Sequence, residues 1–134
     1  MNTPRLTKSA AQLVAEARAV VETFSVEQAR VAYGQPGVLF VDIRDVRELQ
    51  REGTIPGAFH APRGMLEFWV DPESPYYKAE FGESDRIVLF CQSSWRSALA
   101  VKALDEMGLA GVAHIDGGFK AWQAAGGDVG PVDQ

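Results

Sequence analysis

The sequence predicts an α/β protein in which a mostly parallel central sheet carries helices on both faces, with an extra helix at the N-terminus. Three observations predict it. Val38-Leu39-Phe40-Val41 and Ile87-Val88-Leu89-Phe90 are unbroken apolar runs of strand length, suited to a sheet buried on both sides. Amphipathic stripes at helical spacing lie between and around these runs. Glycine and proline clusters mark the junctions.

The elements follow in order. Ser9 to Val21 carries Leu13, Val14, Ala17, Val20 and Val21 at helical spacing, among good helix formers. Ser25-Val26-Glu27-Gln28 is a capping box that opens a helix running to about Tyr33, and Gly34-Gln35-Pro36-Gly37 breaks it. The first buried strand comes next. Asp45 caps a short helix through Glu52, with Gly53 as its stop. Ile55-Pro56-Gly57-Ala58 turns the chain into a short strand near Phe59-His60. Pro62 to Phe81 reads as a long connection with one or two helical turns and an apolar cluster of its own, built on Phe68, Trp69, Tyr76 and Tyr77. After the strand Ile87–Phe90, a helix over 97–107 ends at Gly108. Val112-Ala113-His114-Ile115 is a last strand. Asp116-Gly117-Gly118 leads into a helix through Ala125, and Gly126-Gly127 ends it. The expected organisation is an N-terminal helical extension over 1–24, a domain over 25–127 and a loose tail over 128–134. No internal repeat or low-complexity tract interrupts it.

Composition narrows the function classes. A chain of 134 residues with 46% hydrophobic and 23% charged content fits one soluble globular domain. The net charge of −5 argues against a nucleic-acid partner, which needs a basic face. A single cysteine, Cys91, excludes a disulfide framework or a multi-cysteine zinc site within the chain. It fits a reducing, cytoplasmic setting. Met1 to Lys8 has no apolar core for a secretory leader, and Glu16 and Arg18 interrupt the helix that follows, so no membrane association is expected. Nothing in the pattern calls for a metal or cofactor.

Cys91 ends the second buried run, and Gln92-Ser93-Ser94-Trp95 separates it from Arg96 at the start of a helix. A free cysteine is commonly an inert core residue. Here, however, the residues after it are small and hydroxylic. The loop is also short enough for the backbone N–H groups of Gln92 through Arg96 to converge on an anion beside a helix N-terminus. Such surroundings would favour the thiolate and make Cys91 a nucleophile. Asp42 and Cys91 both fall at the carboxyl ends of strands, where ligands bind in parallel sheets.

Four motifs then carry a resemblance. Over residues 25–127 the chain resembles the single-domain rhodanese sulfurtransferases. Val41-Asp42-Ile43-Arg44 is similar to the family's D-x-R signature. Glu52-Gly53-Thr54-Ile55-Pro56-Gly57-Ala58 is similar to G-H-I-P-G-A, with Thr54 in place of histidine. Cys91-Gln92-Ser93-Ser94-Trp95-Arg96-Ser97 resembles the active-site loop C-x-x-G-x-R-S, with Ser94 in place of glycine. Asp116-Gly117-Gly118-Phe119-Lys120-Ala121-Trp122 resembles the C-terminal G-G-x-x-x-W signature. The resemblance implies a three-layer rhodanese-like fold with about five strands. It implies sulfane sulfur transfer through a Cys91 persulfide, from a small-molecule donor such as thiosulfate to cyanide or a thiol, including a protein acceptor. The assembly would be a monomer or homodimer.

Residue roles follow as expectations. Arg96 either binds the donor's anionic end or fixes the loop through a salt bridge. Arg44 is a second anion ligand, or a surface residue paired with Asp45 or Glu48. Asp42 orients the loop by accepting N–H bonds, since an ionised thiol needs no base. Arg63 lies near the pocket mouth, and Trp95 shapes the acceptor side or shields the loop. His60 and His114 are structural, because neither sits in a dyad pattern. Gly117 and Gly118 permit close packing, with Trp122 as an anchor. Ser94 would need a left-handed backbone that glycine adopts more cheaply. Two other functions remain open. One is a phosphatase, although the related cell-cycle phosphatases place five residues between Cys and Arg where this chain has four. The other is a non-catalytic interaction module, for which the Leu13–Val21 stripe would be a docking face if it does not pack on the domain itself.

Overall fold

The computed structural model describes residues 3–132. Helices α1 (Ala10–Val20), α2 (Val26–Ala32), α3 (Val46–Glu52), α4 (Leu66–Val70), α5 (Trp95–Glu106) and α6 (Gly118–Ala124) alternate with strands β1 (Glu22–Phe24), β2 (Val38–Asp42), β3 (Phe59–His60), β4 (Arg86–Phe90) and β5 (Val112–Ile115). The strands form one sheet in the order β1-β5-β4-β2-β3, and each of its pairings is parallel. Parallel strands need crossover connections, which the intervening helices supply, so the alternating pattern of the sequence becomes a three-layer architecture.

The central strand shows how the layers are built. Successive residues of β4 point to opposite faces. Ile87, Leu89 and then Cys91 pack with Leu66 and Val70 of α4 and with Ala100, Val101 and Leu104 of α5. Val88 and Phe90 pack on the other side with Ala29 of α2 and with Phe119 and Trp122 of α6. Each large side chain buried in this way contributes about 1.5–3 kcal/mol. The continuous apolar run therefore records two cores, one on each face.

Local signals act as expected at several ends. The Ser25 capping box with Gln28 forms, and Asp45 caps α3 with Glu48 reaching back to its N–H. Gly53 ends α3 at φ 82°, a conformation costly for residues with a Cβ. Ser9 and Gln12 form a further capping box on α1 that the sequence reading did not single out.

Three expectations need correction. Residues 22–24, placed in the helical extension, form β1 and pair in register with β5, Thr23 lying opposite His114. The tail is not loose throughout: Thr54 and Gly130 exchange two backbone hydrogen bonds of 2.9 Å, and Trp122 Nε1 donates to Asp128 O at 2.8 Å. Residues 133 and 134 lie outside the described residues. The Pro62–Phe81 connection does not keep a separate cluster. Leu66, Val70 and Phe81 join the main core, and Phe59 meets Trp69 and Phe81 edge to face. Phe68 and Tyr76 stay outside as an exposed pair.

The N-terminal stripe splits. Val14 and Ala17 are buried against Ala98 of α5, while Leu13 and Val20 remain exposed. Among the described residues, no helix is long and apolar enough to cross a membrane.

Candidate active site

β4 delivers Cys91 to the end of the sheet, and the chain turns at once into α5. Ser94 is the N-cap of α5 with φ 89°, the one non-glycine residue with positive φ among the described residues. This turn aims backbone donors at the sulfur. Ser94 N–H donates to Cys91 Sγ at 3.2 Å and Ser97 N–H at 3.4 Å. The thiol, 1% exposed, also lies 3.6 Å from Ser97 Oγ. The sequence expected N–H groups from Gln92 through Arg96. The donors that reach the sulfur are Ser94, within that span, and Ser97, one residue beyond it.

The loop's carbonyls point the other way. Cys91 O accepts from Phe119 N–H at 2.8 Å and Gln92 O from Lys120 N–H at 3.1 Å, both at the start of α6. Gly118 allows this approach: a Cβ there would sit 2.5 Å from Cys91 O. One face of the loop is thus tied to α6 while the other presents N–H groups to sulfur, which is the polarity an anion-binding loop requires.

Asp42 and Arg44 lie beneath the loop as a buried ion pair, with Nη2 to Oδ2 at 2.8 Å. Every guanidinium nitrogen of Arg44 is engaged. Nε donates to Asp42, Nη1 to Gln92 Oε1 at 3.0 Å, and Nη2 to Asp42 and to Gly53 O at 2.8 Å. The planar group also lies over the Phe119 ring. Arg44 is therefore neither an anion ligand nor a surface residue. Asp42 accepts the N–H of Arg44 and the hydroxyl of Thr54, the latter at 2.7 Å, rather than N–H groups of the loop. Arg44 links it to Gln92 in the loop, and Gln92 Nε2 donates to Glu52 Oε1 at 3.0 Å. Thr54, standing where the resembling family has histidine, closes this buried network.

Arg96 takes the loop-fixing alternative. It grips Glu48 with both Nη atoms, at 2.8 and 3.0 Å. The hydrogen bond from Arg96 lowers the carboxyl pKa of Glu48, and the same bond raises that of Arg96. Trp95 is exposed, as is Ser93, and Arg63 pairs with Glu67 one turn along its own segment. His60 contacts Arg44 O at 2.7 Å, a structural bond.

Three further residues, Arg18, Ser97 and His114, lie near the thiol or its turn. Arg18 of α1 donates to Ser94 Oγ at 3.2 Å and to Asp116 Oδ1 at 2.9 Å, bringing the N-terminal helix to the loop. Ser97 Oγ lies 2.9 Å from His114 Nδ1, and His114 Nε2 lies 3.0 Å from Thr23 Oγ1. Burial, aided by the Arg18 charge, pushes the His114 pKa down to about 4, so its ring is neutral at physiological pH. No sequence pattern announces these contacts, because they span 76, 17 and 91 residues of chain. Among the described residues, no group of three His, Cys, Asp or Glu side chains is placed to hold a metal ion.

The rhodanese-like domain matches the chain over residues 25–125, a span that includes Cys91 and the turn after it. The chain belongs to the rhodanese-like family. It is 34% identical over 94 residues to thiosulfate sulfurtransferase 16, chloroplastic, of Arabidopsis thaliana, covering 67% of this chain and 78% of that protein. It is 35% identical over 92 residues to an uncharacterized Synechocystis protein, covering 69% of this chain and 46% of that one. The rhodanese-like chain thus spans less than half of the Synechocystis relative. Among solved structures, a Rhodopseudomonas palustris protein of unknown function, described as a possible tyrosine phosphatase, superposes with a TM-score of 0.93 at 45% identity, over 97% of this chain and all of that one. A Pseudomonas aeruginosa thiosulfate sulfurtransferase gives 0.68 at 26% identity, over 83% of this chain and 19% of that one.

Proposed function

We propose that this rhodanese-like protein transfers sulfane sulfur through a Cys91 persulfide. The reading rests chiefly on one observation: two backbone N–H groups, from Ser94 and Ser97, converge on Cys91 Sγ. In the first half-reaction the thiolate attacks the outer sulfur of thiosulfate. An Sγ–S bond forms, the donor's S–S bond breaks, and sulfite leaves with that electron pair. The persulfide keeps one negative charge at the outer sulfur, where a helix N-terminus and oriented amides are favourable. In the second half, cyanide or a thiolate attacks the outer sulfur and Cys91 leaves as thiolate. Arg96 contributes positive potential near the sulfur while Glu48 fixes its direction. Small-molecule donors, thiol acceptors including a protein thiol, and a cytoplasmic setting complete the proposal.

The description of the Rhodopseudomonas structure favours a phosphatase as a second reading. Against it stands the loop, with four residues between Cys91 and Arg96. Both N–H donors near Sγ are within 3.4 Å of the sulfur itself, and the guanidinium is already occupied by Glu48. A tetrahedral phosphate needs a wider ring of donors and a free bidentate arginine.

The decisive experiment is intact-mass analysis after incubation with thiosulfate. The expected product gains one sulfur atom, loses it to cyanide, and does not form in Cys91→Ser. Failure to gain sulfur, combined with hydrolysis of an aryl phosphate that Cys91→Ser abolishes, transfers the assignment to the phosphatase. Neither activity would leave an interaction module.

A further inference from the structure

His114 is fully buried on the sheet face that also carries Cys91, yet its position among Val112, Ala113 and Ile115 would suit an apolar residue. Both ring nitrogens are engaged, each by a hydroxyl. Nδ1 meets Ser97 Oγ, which meets Cys91 Sγ, and Nε2 meets Thr23 Oγ1 on β1, an edge strand where Thr23 is only partly covered. A neutral imidazole has one N–H and one acceptor, so this row can carry its hydrogens in either of two directions.

We propose that Ser97, His114 and Thr23 form a proton wire that carries the Cys91 thiol proton to the edge of the sheet. The inference rests on the reading of Cys91 as a nucleophile that must ionise. With the thiol intact, Sγ–H points to Ser97 Oγ, Ser97 O–H to Nδ1, and Nε2–H to Thr23 Oγ1. On ionisation the Sγ proton passes to Ser97 Oγ as the Ser97 proton passes to Nδ1. The Nε2 proton passes to Thr23 as the Thr23 proton leaves to water. One proton departs and one negative charge remains on sulfur. Ser97 O–H then donates to the thiolate, Nδ1–H to Ser97, and Thr23 O–H to Nε2. No heavy atom moves.

The ring serves this role only if it stays neutral, and burial holds it so above about pH 4. The charged groups that act on the row are Arg18 from α1 and Asp116 beyond β5, on His114, and Arg96 from α5, on Cys91. Ser94 O, 3.2 Å from Ser97 Oγ, offers the hydroxyl a third direction but lies outside the row. His114 is on this account a positioning residue, since it acts on the sulfur through Ser97.

The test is ¹⁵N spectroscopy of histidine-labelled protein, with His60→Gln separating the two rings, followed between about pH 5 and 9. The expected result is a neutral His114 that changes from the Nε2–H to the Nδ1–H tautomer as pH rises. Its midpoint should equal that of the iodoacetamide alkylation rate of Cys91. The change should vanish in Cys91→Ala and in wild-type protein already capped by iodoacetamide. A single tautomer at all pH values, or a change that survives loss or capping of the thiol, overturns the wire. Sulfur loading from thiosulfate, read by mass, separates the two ideas. Loading with a fixed tautomer sinks the wire alone, and a thiol-linked change without loading sinks the transfer reading while sustaining the wire.

Discussion

Arg18 Nη1 donates to Ser94 Oγ at 3.2 Å, joining the first helix to the turn after Cys91 across 76 residues of chain. Ser94 needs such support, because its φ of 89° disfavours any side chain. The hydroxyl offsets the strain by accepting from α1 rather than by adding a donor to the thiol's surroundings.

Ser94→Ala keeps the strained backbone and loses the Arg18 bond, whereas Ser94→Gly loses the bond and relaxes the backbone. The glycine variant should therefore be more stable than the alanine variant by about 1 kcal/mol. Urea denaturation of the pair measures it, and equal midpoints would show that φ at this position carries no cost.

Arg44→Lys removes the fork that holds Asp42, Gln92 and Gly53 O together. Asp42→Ala leaves a buried guanidinium unpaired, at a cost of about 3–5 kcal/mol. Lysine should lower thermal stability less than that while still reducing persulfide yield, because Gln92 is released. A lysine variant with full sulfur loading contradicts the proposed path from Asp42 to the loop.

Gly118→Ala places a Cβ 2.5 Å from Cys91 O and 2.7 Å from the Gln92 carbonyl carbon, at a φ of +63°. Neither neighbour is a flexible side chain, so backbone must move. The expected loss is at least about 2 kcal/mol, with slower alkylation of Cys91 as its donors are displaced. Circular dichroism melting together with iodoacetamide kinetics tests both parts.

His114 binds a proton in the unfolded chain near its ordinary value of 6.5 but in the native protein only near 4. Between those values the unfolded state holds more protons, so stability rises with pH across the window and is complete above it. The contribution lost on acidification is about 3 kcal/mol at most. His114→Asn should lack this part of the pH slope; parallel wild-type and variant curves from pH 4 to 7 would refute the assignment.

The fold was legible because the signals that build it are local. The apolar runs of β2 and β4 announced a sheet covered on both faces, and the Ser25 and Asp45 caps placed α2 and α3. β1 was not legible: three residues, Glu22-Thr23-Phe24, show too little alternation to read as a strand, and only pairing with β5 makes them one. At the site, Cys91 and the loop were readable from their order along the chain. The roles of Arg44 and Arg18 were not. Whether an arginine faces a ligand or a buried carboxylate is decided by tertiary contacts, and Arg44 is fully buried although its sequence neighbours Asp45 and Arg47 are exposed. His114 was expected to be structural, and its burial with both ring nitrogens hydrogen-bonded fits that expectation, although its partners come from other elements.

A lone sulfhydryl sealed to 1% exposure has a consequence for oxidative damage. With no second cysteine in the chain, a sulfenic acid at this position has no intrachain resolving partner to trap it before irreversible steps. Protection therefore rests on burial alone, and any opening that admits a sulfur donor to Cys91 also admits small oxidants.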